Sequence, residues 1–449
     1  MASQLDTLEQ LRSGQLLGAR TLKLSCGLTE FPPEIFDLAD SLEVLDLSGN
    51  QLTDLPDDLA ALHRLRILFC SDNPFTTLPP AVGRCPELSM VGFKANRITT
   101  VPPESLPAKL RWLILTDNAI ESLPDELGRR PLLQKLMLAG NQLTSLPETM
   151  AGCSRLELLR LSANRLPGLP SWLLSLPRLS WLAYSGNPLA QAWEAQAQQA
   201  QAQQALGTIR EIAWSSLEVG GLLGQGASGF IHRAVWRDGA RQLDVAVKLF
   251  KGAVTSDGLP GCEMAAALAA GDHDHLTRVL GRVTDHPQGA QGVVMALIDP
   301  SYVNLAGPPS FESCTRDVYA PEIRFDWATV FHMARGVASA AAHLHGRGIM
   351  HGDLYAHNLL NNAEGQILLG DFGAASFHAA DCSEVSLALR RLEVRAFACM
   401  LEEWLERCDT GPGCSAVVAR LQSLMQACMA ENVASRPLLA DIHAQLAEG

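Results

Sequence analysis

Along the first part of the chain, leucines recur in a fixed frame rather than at helical spacing. Leu42-Glu43-Val44-Leu45-Asp46-Leu47-Ser48-Gly49-Asn50-Gln51-Leu52 returns as Leu133-Gln134-Lys135-Leu136-Met137-Leu138-Ala139-Gly140-Asn141-Gln142-Leu143. Asparagines at 50, 73, 96, 118, 141, 164 and 187 are 23, 23, 22, 23, 23 and 23 residues apart. Each frame predicts one short strand with its leucines turned inward, and no single copy can bury its apolar face, so the copies must stack. The asparagine satisfies backbone groups where the chain leaves the strand, and successive asparagines form a ladder. Leu55-Pro56, Leu78-Pro79, Val101-Pro102, Leu123-Pro124, Leu146-Pro147 and Leu169-Pro170 start the segments on the opposite side. Phe31-Pro32 predicts an earlier copy with Gly27 in the place of Asn50, and the amphipathic stretch from Asp6 to Arg12 predicts an N-terminal cap.

This frame resembles the leucine-rich repeat in its form of about 23 residues. Alternate strand residues then face the concave surface, among them Phe69, Trp112, Met137 and Trp181. Large apolar side chains there predict a site for a protein substrate or partner, or for docking the rest of the chain. From Ala190 to Ala205 the sequence is almost all alanine and glutamine, good helix formers, which predicts a helical spacer. The expected organisation is a repeat domain over 1–189, a linker over 190–212 and a second domain over 213–449.

In that second domain a strand-like run, Leu217 to Leu223, enters Gly224-Gln225-Gly226-Ala227-Ser228-Gly229 and leaves through another, Phe230 to Val235. Glycines at this spacing let backbone amides approach phosphate oxygens, and a following strand argues against a dinucleotide-binding turn. Val245-Ala246-Val247-Lys248 is an alternating strand ending in lysine, and Glu263 lies on the next predicted helix. In His351-Gly352-Asp353-Leu354-Tyr355-Ala356-His357-Asn358 a carboxylate precedes an amide by five residues. Two short strands around Asn361-Asn362-Ala363-Glu364-Gly365 would fold as a hairpin and return Asp371-Phe372-Gly373 to Asn358, where hard oxygen ligands can share a metal ion. Asp353 is left to accept a proton from a hydroxyl.

As an ordered set these segments resemble the protein kinase signature over about residues 215 to 449. The fold class expected is thus multi-domain, an α/β leucine-rich-repeat solenoid followed by an α+β bilobal kinase fold. The resemblance implies ATP and Mg²⁺ as cofactors, Lys248 on the ATP phosphates, Glu263 positioning Lys248, Asp353 as catalytic base, and Asn358 and Asp371 on the metal. Phe372 would fix the orientation of Asp371. Gly224, Gly226 and Gly229 would cover the phosphates. Leu223, Ile231, Ala246 and Leu360 would wall the adenine slot, with Met295 behind it and Ala296 to Ile298 connecting the lobes.

The sequence departs from that pattern in four places. Gly352 replaces the arginine that reads an activation-loop phosphate, which predicts no need for loop phosphorylation. Tyr355 stands where serine/threonine kinases resemble one another in carrying lysine, and His357 where tyrosine kinases often carry arginine. His357 would either bring partial positive charge to the transferring phosphate or serve the loop structurally. Only Ala374 to Leu392 separates Gly373 from Glu393, which resembles the acidic anchor of the large lobe's central helix. Ser376, Ser383 and Ser386 are the hydroxyls in that segment. It lacks the usual Ala-Pro-Glu, so Arg436, which matches the arginine pairing with that glutamate, has no expected partner.

Composition narrows the setting. With 449 residues, two or three domains are expected. The net charge of −13 and absence of long Lys/Arg runs make nucleic acid and anionic membranes poor partners. Eleven cysteines without a Cys-x-x-Cys pair fit a reducing compartment, and no apolar run reaches the length of a membrane span, so a cytoplasmic protein is expected. The function expected is an ATP-dependent protein kinase, serine/threonine-directed and guided by its repeats. The alternatives are a pseudokinase scaffold and a small-molecule phosphotransferase, whose loops also resemble His-Gly-Asp with a following asparagine.

Overall fold

The computed structural model describes residues 4–203, 210–226, 228–251, 254–409 and 415–448. Part of the expected linker, 204–209, and Ala227 of the glycine-rich loop lie outside the described residues. The chain divides into two compact units, Met1–Leu176 and Pro177–Gly449.

The first unit opens with helix α1 (Gln4–Arg12), as the N-terminal pattern predicts. Seven three-residue strands follow: β1 (Thr21–Lys23), β2 (Val44–Asp46), β3 (Ile67–Phe69), β4 (Met90–Gly92), β5 (Trp112–Ile114), β6 (Lys135–Met137) and β7 (Leu158–Arg160). Each pairs in parallel with the next, Leu45 opposite Leu68 and Leu136 opposite Leu159. The central residue of each is buried, a leucine in all but β4, where it is Val91. Pro32, Pro79, Pro102 and Pro124 of these steps cap short helices, respectively the 3₁₀ helix Pro33–Leu38, α2 (Pro80–Gly83) and the 3₁₀ helices Pro103–Ser105 and Asp125–Arg129.

The asparagine ladder forms as expected. Asn141 accepts from Ile120 N at 3.1 Å and donates to Leu115 O at 2.8 Å and Leu138 O at 3.0 Å. Asn164 repeats this with Leu143 N, Leu138 O and Leu161 O. Each side chain therefore ties its own turn to the copy before it.

The concave strip differs from the open stripe that the alternation suggests. Trp112 and Met137 are each 9% exposed, with Lys135 Nζ 4.1 Å from the Trp112 ring centre, while Phe69 is half-buried over Gly92. Lys135 of the next copy covers the Trp112 ring, and the Phe69 ring packs over the bare backbone of Gly92.

The second unit begins with strand β8 (Trp181–Ala183) and helix α3 (Pro188–Gln203), the helix expected from the Ala/Gln run. Strands β9 (Glu211–Ala213), β10 (Leu217–Gln225), β11 (Gly229–Asp238) and β12 (Arg241–Phe250) lead to helix α4 (Pro260–Ala270), then β13 (Val279–Thr284) and β14 (Gly292–Ala296). Among the described residues these strands form a six-stranded sheet in the order β10-β11-β12-β14-β13-β9. Its core gathers Ile212, Trp236, Val245, Val247 and Val294.

The remainder is largely helical. Strand β15 (Val303–Asn304) and helix α5 (Trp327–Gly346) precede β16 (Ile349–Met350), the hairpin β17 (Leu359–Asn361) and β18 (Ile367–Leu369), and β19 (Ser376–Phe377). Helices α6 (Glu384–Glu406), α7 (Ser415–Cys428) and α8 (Leu439–Ala447) complete it. Asp326 and Ser383 cap α5 and α6 by accepting from Thr329 N and Ser386 N. Among the described residues, no helix is long and apolar enough to cross a membrane.

Asn141→Ala leaves the Ile120 amide and two carbonyls without their partner inside the stack. It is expected to lower the stability of the first unit by about 1–3 kcal/mol, seen as a lower urea midpoint at constant m. An unchanged midpoint would show that the ladder adds nothing beyond strand packing.

Candidate functional site

The hairpin does what the sequence spacing requires. Leu359 faces Leu369, and Gly370 N donates to Asn358 O at 3.1 Å, so Asn358 and Asp371 flank the open end of one ladder. Asn362 Oδ1 closes the turn by accepting from Glu364 N and Gln366 N. Asn358 Nδ2 donates to Asp353 O at 2.9 Å and to Asp353 Oδ2 at 2.8 Å, which fixes the carboxylate against the amide. Asp371 holds a left-handed backbone, φ 53°, supported by Gly373 N donating to its Oδ1 at 3.1 Å. Such a conformation costs roughly 1–2 kcal/mol for a residue with a Cβ and is tolerated best by Asn and Asp.

Below this group lies a buried carboxylate. Glu393 of α6, 0% exposed, accepts from Gly352 N at 2.6 Å and His351 N at 3.3 Å, and its Oε2 lies 2.7 Å from His345 Nε2. Burial alone would raise its pKa, but His345, His351 and the Gly352 amide outweigh burial and hold it below the ordinary glutamate value. His351 in turn reaches Gly370 O with Nε2 at 2.8 Å, and its ring centre lies 5.5 Å from that of buried Phe372. The backbone of His351 and Gly352 is thus suspended between α6 and the turn carrying Asp371.

Lys248 on β12 and Glu263 on α4 form the expected ion pair, both largely buried. Burial and the nearby Asp371 carboxylate push the Glu263 carboxyl up, against the pull of the Lys248 ammonium. Ser228 of the glycine-rich loop also bonds Glu263, and Gly226 N donates to Gly229 O at 3.0 Å. Gly224 and Gly226 face open space, whereas Gly229 is closed against the Leu249–Phe250 backbone.

Of the expected adenine walls, Ala246 pairs with Met295 across β12 and β14, and Ile231 with Gly224 across β10 and β11. Leu223 falls in the irregularity between Leu222 and Gly224 and is 54% exposed. Leu360 is half-buried on β17. Strand β14 ends at Ala296, so residues 297 and 298 connect the lobes as irregular chain.

The sequence did not point to Asp317. It accepts from His357 N at 3.0 Å, and its Oδ1 lies 2.7 Å from His357 Nδ1, while His357 Nε2 sits 4.0 Å from Asp353 Oδ2. Burial opposes a charge on His357, but the Asp317 hydrogen bond and the Asp353 and Asp371 carboxylates outweigh it and raise the pKa. Asp317 lies 40 residues earlier in an irregular segment, with no motif around it. Arg436 finds carbonyls in place of a glutamate: Ala430 O at 2.9 Å, Arg391 O at 3.1 Å and Pro177 O at 2.7 Å. Burial lowers its pKa to about 10.

Trp181 is removed from any outward face. It is 1% exposed, its ring stacks on Tyr355 with centres 4.2 Å apart and planes 4° from parallel, and its Nε1 donates to Leu354 O at 3.0 Å. Of the two uses expected of it, an external partner or docking of the rest of the chain, its contacts are with the chain itself: the tyrosine at position 355 offers a flat apolar surface that excludes water from the indole.

Both parts of the chain resemble known proteins. The family model described as "Protein tyrosine and serine/threonine kinase" matches residues 217–399, and leucine-rich-repeat models match 40–82, 108–166 and 131–189. The chain thus joins leucine-rich repeats to a protein kinase domain. CBL-interacting protein kinase 22 of Oryza sativa is 30% identical over 187 residues, 39% of this chain and 40% of that protein. Non-receptor tyrosine-protein kinase TNK1 of Homo sapiens is 30% identical over 162 residues, 34% of this chain and 22% of that one. A probable serine/threonine-protein kinase of Arabidopsis thaliana is 24% identical over 107 residues, 24% and 13% of the two chains. The chain spans less than half the length of these curated relatives. A leucine-rich-repeat protein of Leptospira interrogans is 29% identical with a TM-score of 0.33, over 38% of this chain and 50% of that one.

Glu393→Gln puts an amide NH₂ where backbone donors now meet carboxylate oxygen, and is expected to cost about 1–3 kcal/mol at pH 7. Because the folded pKa is lowered, the carboxylate's contribution is present above the ordinary value of 4.5 and is lost as pH falls through the folded one. Urea titrations of both proteins should therefore converge only below pH 4.5. A gap independent of pH would contradict the charge-based account.

Proposed function

We propose that the chain is an ATP-dependent protein kinase, directed to serine or threonine and guided by its repeats. The observation that carries this reading is the joint presence of the Lys248–Glu263 pair and the Asp353–Asn358–Asp371 group, with no side chain of the set missing. Asn358 uses its amide hydrogens on Asp353, and Asp371 uses Oδ1 on Gly373 N, so each keeps oxygen for a cation. A hard set of two protein oxygens fits Mg²⁺, which retains waters and takes phosphate oxygens for the rest of its shell. When bound, Mg²⁺ would neutralise charge on the β and γ phosphates.

The chain's own residues do the remaining work. Lys248, steadied by Glu263, orients the phosphates of ATP, whose adenine would lie between Leu223, Ile231, Ala246, Met295 and Leu360. Asp353 aligns the acceptor hydroxyl and takes its proton. His357, held by Asp317 beside Asp353, adds positive charge where the transferring phosphate is most negative. An intact set speaks against a scaffold without activity, and the match to a protein kinase family speaks against a small-molecule acceptor. The repeats select the protein partner through the strand face, on which Phe69 is only half-buried. A reducing cytoplasm suits the buried free thiols: burial raises Cys85 and Cys153 to about 11 and Cys428 to about 12.

Purified protein with labelled ATP and Mg²⁺ tests this against Lys248→Ala and Asp353→Asn on protein, peptide and aminoglycoside acceptors. Both variants are expected to lose about 100-fold or more in label incorporation. Equal label in all three proteins overturns the enzyme reading, and label on the aminoglycoside alone overturns the protein acceptor.

A further inference from the structure

The repeat match runs to residue 189, yet the second compact unit starts at Pro177. Within that unit, residues 177–196 meet the loop after Asp353, the segment after Gly373, and helices α6 and α4. Trp181 covers Tyr355, two residues beyond Asp353, and bonds Leu354 O. Tyr184, fully buried, donates its backbone N–H to Ser376 Oγ at 2.9 Å and its hydroxyl to Phe377 O at 3.1 Å, both on the segment after Gly373. Ser180 Oγ and Arg178 O accept from Arg395 of α6 at 2.9 and 3.0 Å. Helix α3 packs on α4, where Cys262, next to Glu263, bonds Ser185 and lies beside Glu194.

These contacts fall where the sequence departs from the kinase pattern. Gly352 has φ +74°, and a Cβ there would meet Ala374 O and come within 2.9 Å of Leu182 O. The strand backbone thus fills the space that a phosphate-reading arginine would need. Arg436, whose expected glutamate is absent, is satisfied in part by Pro177 O. Tyr355, in the place of a lysine, is matched by the Trp181 ring. A single segment answers three separate substitutions, which a chance packing contact does not do.

We propose that residues 177–196 are a working part of the phosphotransfer unit, replacing a phosphorylated activation loop, with Trp181 as the positioning residue for the catalytic loop through Tyr355 and Leu354. This rests on the kinase reading above. The segment holds Asp353 and the Glu263 helix in register without a covalent switch. Its loss would leave ATP contacts in the sheet intact while letting the acceptor side drift, and a displacement near 1 Å costs about 100-fold in rate.

The test uses the full chain as wild type, Trp181→Ala, Trp181→Phe and Tyr184→Phe, with thermal unfolding recorded on each preparation. Trp181→Ala is expected to lower kcat about 10- to 100-fold with the KM for ATP within about two-fold, and Trp181→Phe, which keeps a stacked ring, to recover most of the rate. Should Trp181→Ala not fold, Tyr184→Phe, which loses only the bond to Phe377 O, carries the same expectation of a kcat fall at constant KM. Phosphatase-treated wild type is expected to keep its full rate. A higher kcat in the Trp181 variants would make the segment an inhibitory plug, and an unchanged one, or a rate lost on phosphatase treatment, likewise overturns the proposal. Wild type without any phosphate transfer overturns the kinase reading itself, an outcome distinct from an active wild type with indifferent variants.

Discussion

The site depends on one buried carboxylate. Glu393 sits with no exposure in the middle of α6 and takes the amides of His351 and Gly352 together with the imidazole of His345. A charge so placed is costly unless every lone pair has a donor, and here the donors come from the loop that must be held. The same interaction that makes the charge tolerable therefore fixes the backbone immediately before Asp353. From that fixed point Asn358 locks the Asp353 carboxylate, and the β17–β18 hairpin brings Asp371 alongside.

The rest of the second unit follows a similar economy. Beside the Lys248–Glu263 pair, the two buried arginines Arg395 and Arg436 bond main-chain carbonyls. Arg436 takes three of them, and Arg395 takes Arg178 O together with the Ser180 hydroxyl. Carbonyl acceptors carry no net charge, so the guanidinium groups keep their bonds without a second buried ion to desolvate. The first unit solves its own buried polar problem by repetition, with one asparagine per copy bridging two turns.

Much of this was legible in the residues. The ladder was readable because its period is strict and its asparagine has one geometric use, and the hairpin because its turn residues and strand lengths are local matters. The Lys248–Glu263 pair, 15 residues apart, was readable only through the order of the surrounding motifs. Asp317 was not readable, since nothing local marks a carboxylate that acts on a histidine 40 residues later. Trp181 was read as one more concave-face residue because the repeat frame says which way a side chain points, and not what lies opposite.

The sequence by itself determined the repeating strand, the turn chemistry and the Asp353–Asn358 spacing, because each is specified by short spacing within one segment. Tertiary structure alone decided which buried groups satisfy one another: Pro177 O with Arg436, Trp181 with Tyr355, Asp317 with His357, Gly352 against Leu182. Those pairings span tens to hundreds of residues, and the physical reason they escape a linear reading is that a buried donor requires only some acceptor at the right distance. Any backbone carbonyl can supply that, and the sequence leaves no mark on the one that does.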